Sequence, residues 1–166
     1  IANRGDVDLQ AHAKASKQDL TYFDEEVKER YLPYVIEPSA GVARIALALM
    51  CEAYTEEKDR VVMKFHPTIT PIKAAVFPLL ANKPELVKKA RGIYEDLRKE
   101  WNVAWDDRGN IGKRYLSQDE IGTPFCITVD FDSLEDDAVT VRDRDTMKQE
   151  RVKIKELGAY LKERLS

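Results

Sequence analysis

The chain has 166 residues, enough for one large domain or two small ones. With 43% apolar and 34% charged residues, its composition excludes a disordered chain. A net charge of −3 argues against binding nucleic acid through bulk positive charge, and no apolar run approaches the roughly 18 residues that span a bilayer.

Residues 1–33 are polar, and the short alternation Val7-Asp8-Leu9 reads as strand and loop. Residues 34–37 read as a strand. Residues 41–53 read as a helix with apolar side chains on nearly every face, expected to be buried between layers. The polar run Thr55-Glu56-Glu57-Lys58-Asp59-Arg60 then reads as a linker, and charge changes sign there. Residues 1–57 hold 6 Lys and Arg against 11 Asp and Glu, whereas residues 58–166 hold 21 against 19. Two domains are therefore expected, 1–57 and 58–166.

In the second part, strands are predicted over 61–65 and 73–80. A helix follows over 84–101, with Pro84 at its start and Leu86, Ala90, Ile93, Tyr94 and Leu97 forming an apolar stripe. Residues 103–105 are extended, 106–110 form a turn and 111–121 a second helix. Residues 125–131 make a strong strand. A turn at Asp136-Asp137 leads into 139–141, a last strand covers 151–154, and 154–165 close the chain as a helix. Alternating β and α elements followed by a strand pair predict an α/β domain: a mixed sheet flanked by helices. Cys51 and Cys126 lie in apolar settings and form no disulfide framework, which suits a reducing cytosol. Together with His12 and His66 they fit no zinc spacing, so no structural metal is expected. The chain starts at Ile1 rather than Met, and the true N-terminus is expected to lie upstream.

Chemistry concentrates at Glu37-Pro38-Ser39-Ala40-Gly41-Val42-Ala43-Arg44. A strand entering a helix through a tight turn leaves free N–H groups that, with Arg44, favour an anion. Glu37 could hold a cation nearby, so the turn suits a small zwitterion beside a phosphate. Read alone, Glu37 and Arg44 could equally pair with each other, and Ser39 could be a helix N-cap.

This turn resembles motif 3 of a class II aminoacyl-tRNA synthetase, in the form found in glycyl-tRNA synthetases. Residues 2–9 with His12 resemble the segment upstream of that motif. The runs 71–78, 111–115 with 119–125, and 140–146 resemble that family's anticodon-binding domain. The blocks occur in order and cover essentially the whole chain. The resemblance implies that residues 1–57 are the C-terminal strand–helix piece of an antiparallel class II catalytic domain, and that 58–166 form a class IIa anticodon-binding domain.

It further implies a ligase that activates glycine with ATP and Mg2+ and transfers it to tRNA(Gly). Glu37 and Ser39 would bind glycine and Arg44 would bind ATP, a role open to a planar, permanently charged guanidinium. Arg4 and Asp6 are further pocket candidates, weighed against a structural salt bridge. Lys113, Arg114, Arg142 and Arg144 are candidate tRNA contacts, although Asp143 and Asp145 could neutralise the last two. Trp101, Trp105 and Tyr115 either stack on unpaired bases or pack in the core. The family's full enzyme is a cytoplasmic homodimer, and this portion, lacking motifs 1 and 2, is expected to be inactive alone. The competing readings are a non-enzymatic accessory module that binds nucleic acid, and a class II synthetase for histidine, proline or threonine.

Overall fold

The computed structural model describes residues 1–165, and they fall into two compact units: Ile1–Ala46, and the chain from Leu47 onward.

In the first unit, β1 (Ala2–Asn3) is followed by α1 (Val7–Ser16), the hairpin β2 (Tyr22–Asp24) and β3 (Glu29–Tyr31), and β4 (Ile36–Glu37). β1 pairs antiparallel with β4, placing Ala2 opposite Glu37. α1 corrects the reading of residues 1–33 as strand and loop. Three alternating residues are too few to carry a strand, and Ala11, Ala13 and Ala15 favour a helix. Lys17, in the left-handed region at φ 58°, ends it.

α2 (Val42–Ala53) forms as predicted but is not buried. Val42 is 83% exposed and Leu47 62%, and Ala53 is the first buried residue of the chain. Cys51, expected to be an apolar filler, is exposed as well.

In the second unit the run read as a linker is structured: β5 (Tyr54–Glu56) pairs antiparallel with β6 (Val61–Met63). The elements that follow are β7 (Ala74–Pro78), α3 (Pro84–Leu97), β8 (Val103–Trp105), α4 (Ile111–Ile121), β9 (Phe125–Val129), α5 (Asp132–Asp136), β10 (Ala138–Asp143) and β11 (Gln149–Lys153). A 3-10 turn (Ile154–Glu156) then leads into α6 (Leu157–Leu165). The mixed α/β sheet is as predicted, whereas α5 was not foreseen.

The sheet runs β11-β10-β9-β7-β8. β7 lies parallel to both β8 and β9, and β9, β10 and β11 are antiparallel neighbours. Alternation along β7 divides the core. Ala74 and Val76 face Leu86, Ile93 and the α6 leucines on one side, while Ala75 and Phe77 face Ile111 and Tyr115 of α4 on the other. The chain passes from β7 to β8 on one side and then to β9 on the other. The carboxyl end of β7 is therefore a topological switch point, where open α/β sheets bind ligands.

Candidate functional site

Within the first unit, β1–β4 pairing brings the upstream block and the motif turn together. Arg4 N–H donates to Val35 O, and Val35 N–H to Gly5 O, both at 2.9 Å. Gly5 takes φ +63°, which lets the chain turn from β1 into α1. The Arg4 guanidinium donates to both oxygens of Asp8, at 2.9 and 3.1 Å, and its Nε lies 3.6 Å from Glu37 Oε2. Arg4 is thus the cation beside Glu37. Its hydrogen bond to Asp8, with the Asp8 and Glu37 charges, raises its pKa; the Arg4 hydrogen bond is the main cause lowering that of Asp8. Asp6 stands at the N-cap of α1 without a side-chain capping bond.

α2 begins at Val42, with the Gly41 carbonyl accepting from Arg44 N–H and Ile45 N–H. Ser39 therefore stands ahead of the first turn rather than capping it. Ser39 and Arg44 are exposed, and neither side chain has a hydrogen bond or ion pair among the described residues. Arg44 does not pair with Glu37.

In the second unit, the loop from β8 into α4 frames a cleft of about 280 Å³ lined by Asp106, Arg108, Gly109, Lys113, Arg114 and Ser117. Asn110 caps α4 by accepting from Lys113 N–H at 2.9 Å. Lys113 and Arg108 are exposed there. Arg114 is 2% exposed, and its guanidinium donates to the carbonyls of Pro78, Asp107, Arg108 and Gly109. It fixes the loop beyond β8 to the carboxyl end of β7, with all three of its guanidinium nitrogens bound to carbonyls. The Asp106 carboxyl is partly buried, which raises its pKa. Hydrogen bonds from the Arg108 backbone and side chain outweigh that and hold it below the usual carboxylate value.

Arg142 and Arg144 are also interior, at 6% and 2% exposure. Arg142 forms a two-pronged pair with the fully buried Asp119 of α4, at 2.8 and 3.0 Å, and its guanidinium lies 4.9 Å from the Tyr115 ring centre. Burial acts to lower the Arg142 pKa, but Asp119 overrides it and the net shift is upward. Arg144 donates to Gly122 O, Phe65 O and both oxygens of Asp145.

Sequence reasoning missed the residue that completes this network. Arg60, in the supposed linker, donates to Asp119 at 2.9 Å, to Arg144 O at 2.7 Å and to Glu57 at 2.7 Å. Glu57 also pairs with Lys64 at 2.8 Å. Hydrogen bonds from Arg60 and then Lys64 bring the Glu57 carboxyl down to about 2. The sequence carried one signal, an arginine next to the apolar run Val61-Val62-Met63, where a buried cation requires a partner.

Trp101 and Trp105 are partly buried against the core beneath α3. The Tyr115 hydroxyl, 2.7 Å from Thr128 Oγ1, is pushed up in pKa by burial. Among the described residues, no group of three or more His, Cys, Asp or Glu is placed to hold a metal ion, and no helix is long and apolar enough to cross a membrane.

The cleft at the end of a parallel-strand pair, with a three-strand antiparallel extension behind it, defines a recognisable class. Residues 73–164 match the Anticodon binding domain, and the chain belongs to that family. Along nearly its whole length it is 55% identical to a glycine–tRNA ligase of Streptomyces coelicolor (99% of this chain, 38% of the relative). It is 55% identical to that of Thermobifida fusca (100% and 38%) and 57% identical to that of Lachnoclostridium phytofermentans (99% and 36%). The chain thus spans little more than a third of the length of these relatives. Among solved structures, a prolyl-tRNA synthetase from Cryptosporidium parvum shares the fold with TM-score 0.57 at 23% identity, covering 63% of this chain and 22% of that one. The RNA binding domain of a threonyl-tRNA synthetase from the same organism gives TM-score 0.55 at 21% identity, covering 61% of this chain and 25% of that one.

Proposed function

We propose that this chain is part of a cytoplasmic glycine–tRNA ligase, that the second unit, with residues 58–166 as its body, recognises the anticodon of tRNA(Gly), and that the first unit belongs to the catalytic domain. The observation that carries the reading is identity above half, along nearly the whole of this chain, to glycine–tRNA ligases, joined to the anticodon-binding family match.

In the RNA-binding part, Lys113 and Arg108 meet backbone phosphates at the mouth of the cleft, and splayed loop bases enter it. Arg114 and the Asp119–Arg142–Arg144 network act as scaffold, because their guanidinium groups are buried and bound to internal acceptors. In the motif turn, Glu37 receives the glycine ammonium, with Arg4 and Asp8 fixing its position. Ser39 lies against the glycine Cα, so a larger side chain is excluded by lack of room. Arg44, free of internal partners, meets ATP. No step here is assigned to Mg2+, which would enter with the ATP phosphates. Attack on the α-phosphate needs several charge-stabilising groups held together, and this turn supplies a single arginine. The isolated chain should therefore show no glycine-dependent pyrophosphate exchange, and homodimerisation belongs to the whole enzyme.

Fluorescence titration at a stated salt concentration tests RNA recognition, since phosphate contacts are salt-dependent. The chain should bind a tRNA(Gly) transcript at least about 10-fold more tightly than one with its middle anticodon base changed, a discrimination of about 1–3 kcal/mol. Equal affinity for the two transcripts would overturn the reading.

A further inference from the structure

The face of the sheet opposite α4 carries a stacked ladder that the cleft does not use. Arg91, on α3, lies over the Trp105 ring at 3.7 Å from its centre and 5.7 Å from that of Tyr94. Tyr94 meets Trp105 edge-to-face at 5.8 Å, and the Arg98 guanidinium lies 5.5 Å from the Tyr94 ring centre. Trp105 ends β8, the edge strand of the sheet, so the ladder stands at an open margin.

Three observations separate this ladder from ordinary packing. Arg91 is exposed and has no hydrogen bond or ion pair among the described residues. A carboxylate is within helical reach at Glu95, four residues on, yet Glu95 pairs with Arg98 at 3.3 Å. The Trp105 Nε1–H is buried with no acceptor among the described residues, so the indole serves as a flat apolar support with no polar anchor of its own. A planar cation held against an aromatic plane, with its edge donors unspent, is built to stack on a base and to bind phosphate. The surroundings favour nucleic acid over protein. No large exposed hydrophobic residue lies between Leu80 and Leu116, whereas protein interfaces centre on apolar anchors. Lys88 is exposed one turn before Arg91, and Arg98 lies about 10 Å along the helix, a span of one to two nucleotides.

We propose that the Trp105–Arg91–Tyr94–Arg98 ladder is a second RNA contact, with Arg91 stacking on one unpaired ribonucleotide and Arg98 meeting a neighbouring phosphate. This rests on the RNA-binding reading above and adds a site on the opposite face of the sheet from the α4 cleft.

The test is titration of the full chain with a tRNA(Gly) transcript at fixed salt, comparing Arg91→Ala, Arg91→Lys and Lys113→Ala. Arg91 is exposed, so its variants should keep the circular dichroism and melting behaviour of the unsubstituted chain. Loss of one stacked base predicts about 10-fold weaker binding for Arg91→Ala. Arg91→Lys keeps the charge but loses the plane, and should lose most of the same affinity. With Trp101→Phe leaving Trp105 as the sole tryptophan, RNA should change its emission, and Arg91→Lys should abolish that change. RNA binding that depends on Lys113 but stays within about twofold in both Arg91 variants would overturn the ladder alone. No RNA binding by the unsubstituted chain would overturn both readings.

Discussion

Glu57 shows how one half-buried side chain can report on an interior network. Its carboxylate receives Arg60 and Lys64, and its pKa falls from the ordinary 4.5 to about 2. Because the folded value lies below the unfolded one, the unfolded chain takes up the proton first as pH falls. The stabilisation is complete above the ordinary value and disappears as pH drops through about 2. Glu57→Gln should therefore flatten the dependence of the urea midpoint on pH between about 5 and about 3. A slope matching that of the unsubstituted chain would show that Glu57 contributes nothing to acid stability. Arg142 and Arg144 show where single-sequence reading stops. Their neighbours Asp143 and Asp145 are visible in the sequence, but the partner that buries Arg142 is Asp119, 23 positions away on α4. No local pattern announces that pairing. The strand–turn–helix that carries Glu37 and Arg44 was legible because a turn between a strand and a helix is a local event. The pairing of Glu37 with Arg4 needed the β1–β4 register.

Among the elements, α4 carries the most consequence. Its start is set by the Asn110 cap and its end by Gly122 at φ +88°. A Cβ on Gly122 would lie 2.7 Å from Met63 O and 2.8 Å from a Phe65 ring carbon, so the glycine is needed both for its backbone and for the approach of β6. Gly122→Ala should cost about 1–2 kcal/mol from the left-handed conformation alone, and more from the collision. Urea unfolding with an unchanged m-value would measure it, and a loss below about 0.5 kcal/mol would refute the packing argument. Most strands and helices of the second unit, β5 and α5 excepted, were legible because each has its own period: the α3 stripe at helical spacing, and the largely apolar run of β9 that marks a strand buried on both faces. α1 and the exposure of α2 were not. An alanine-rich segment with few apolar residues has a weak period, and an apolar helix reads as buried whatever lies beside it.

At the scale of the whole molecule, the two units differ in how they are held together. No residue before Ala53 is buried, whereas the second unit buries both faces of its sheet. That unit also begins earlier than its family match. The match starts at residue 73, yet Arg60 and the Phe65 carbonyl supply partners to Asp119 and Arg144, and Val62 is fully buried. The choice of excision point for an expressed domain follows from this. A piece starting at Lys73 would leave Asp119 with Arg142 alone and Arg144 short of one acceptor, at a cost of about 1–3 kcal/mol relative to a piece starting at Tyr54. Parallel urea unfolding of the two pieces would measure the difference, and equal stability would show the hairpin to be dispensable. The β5–β6 hairpin is thus a portable part of the domain, and whoever cuts or grafts this module must carry it along.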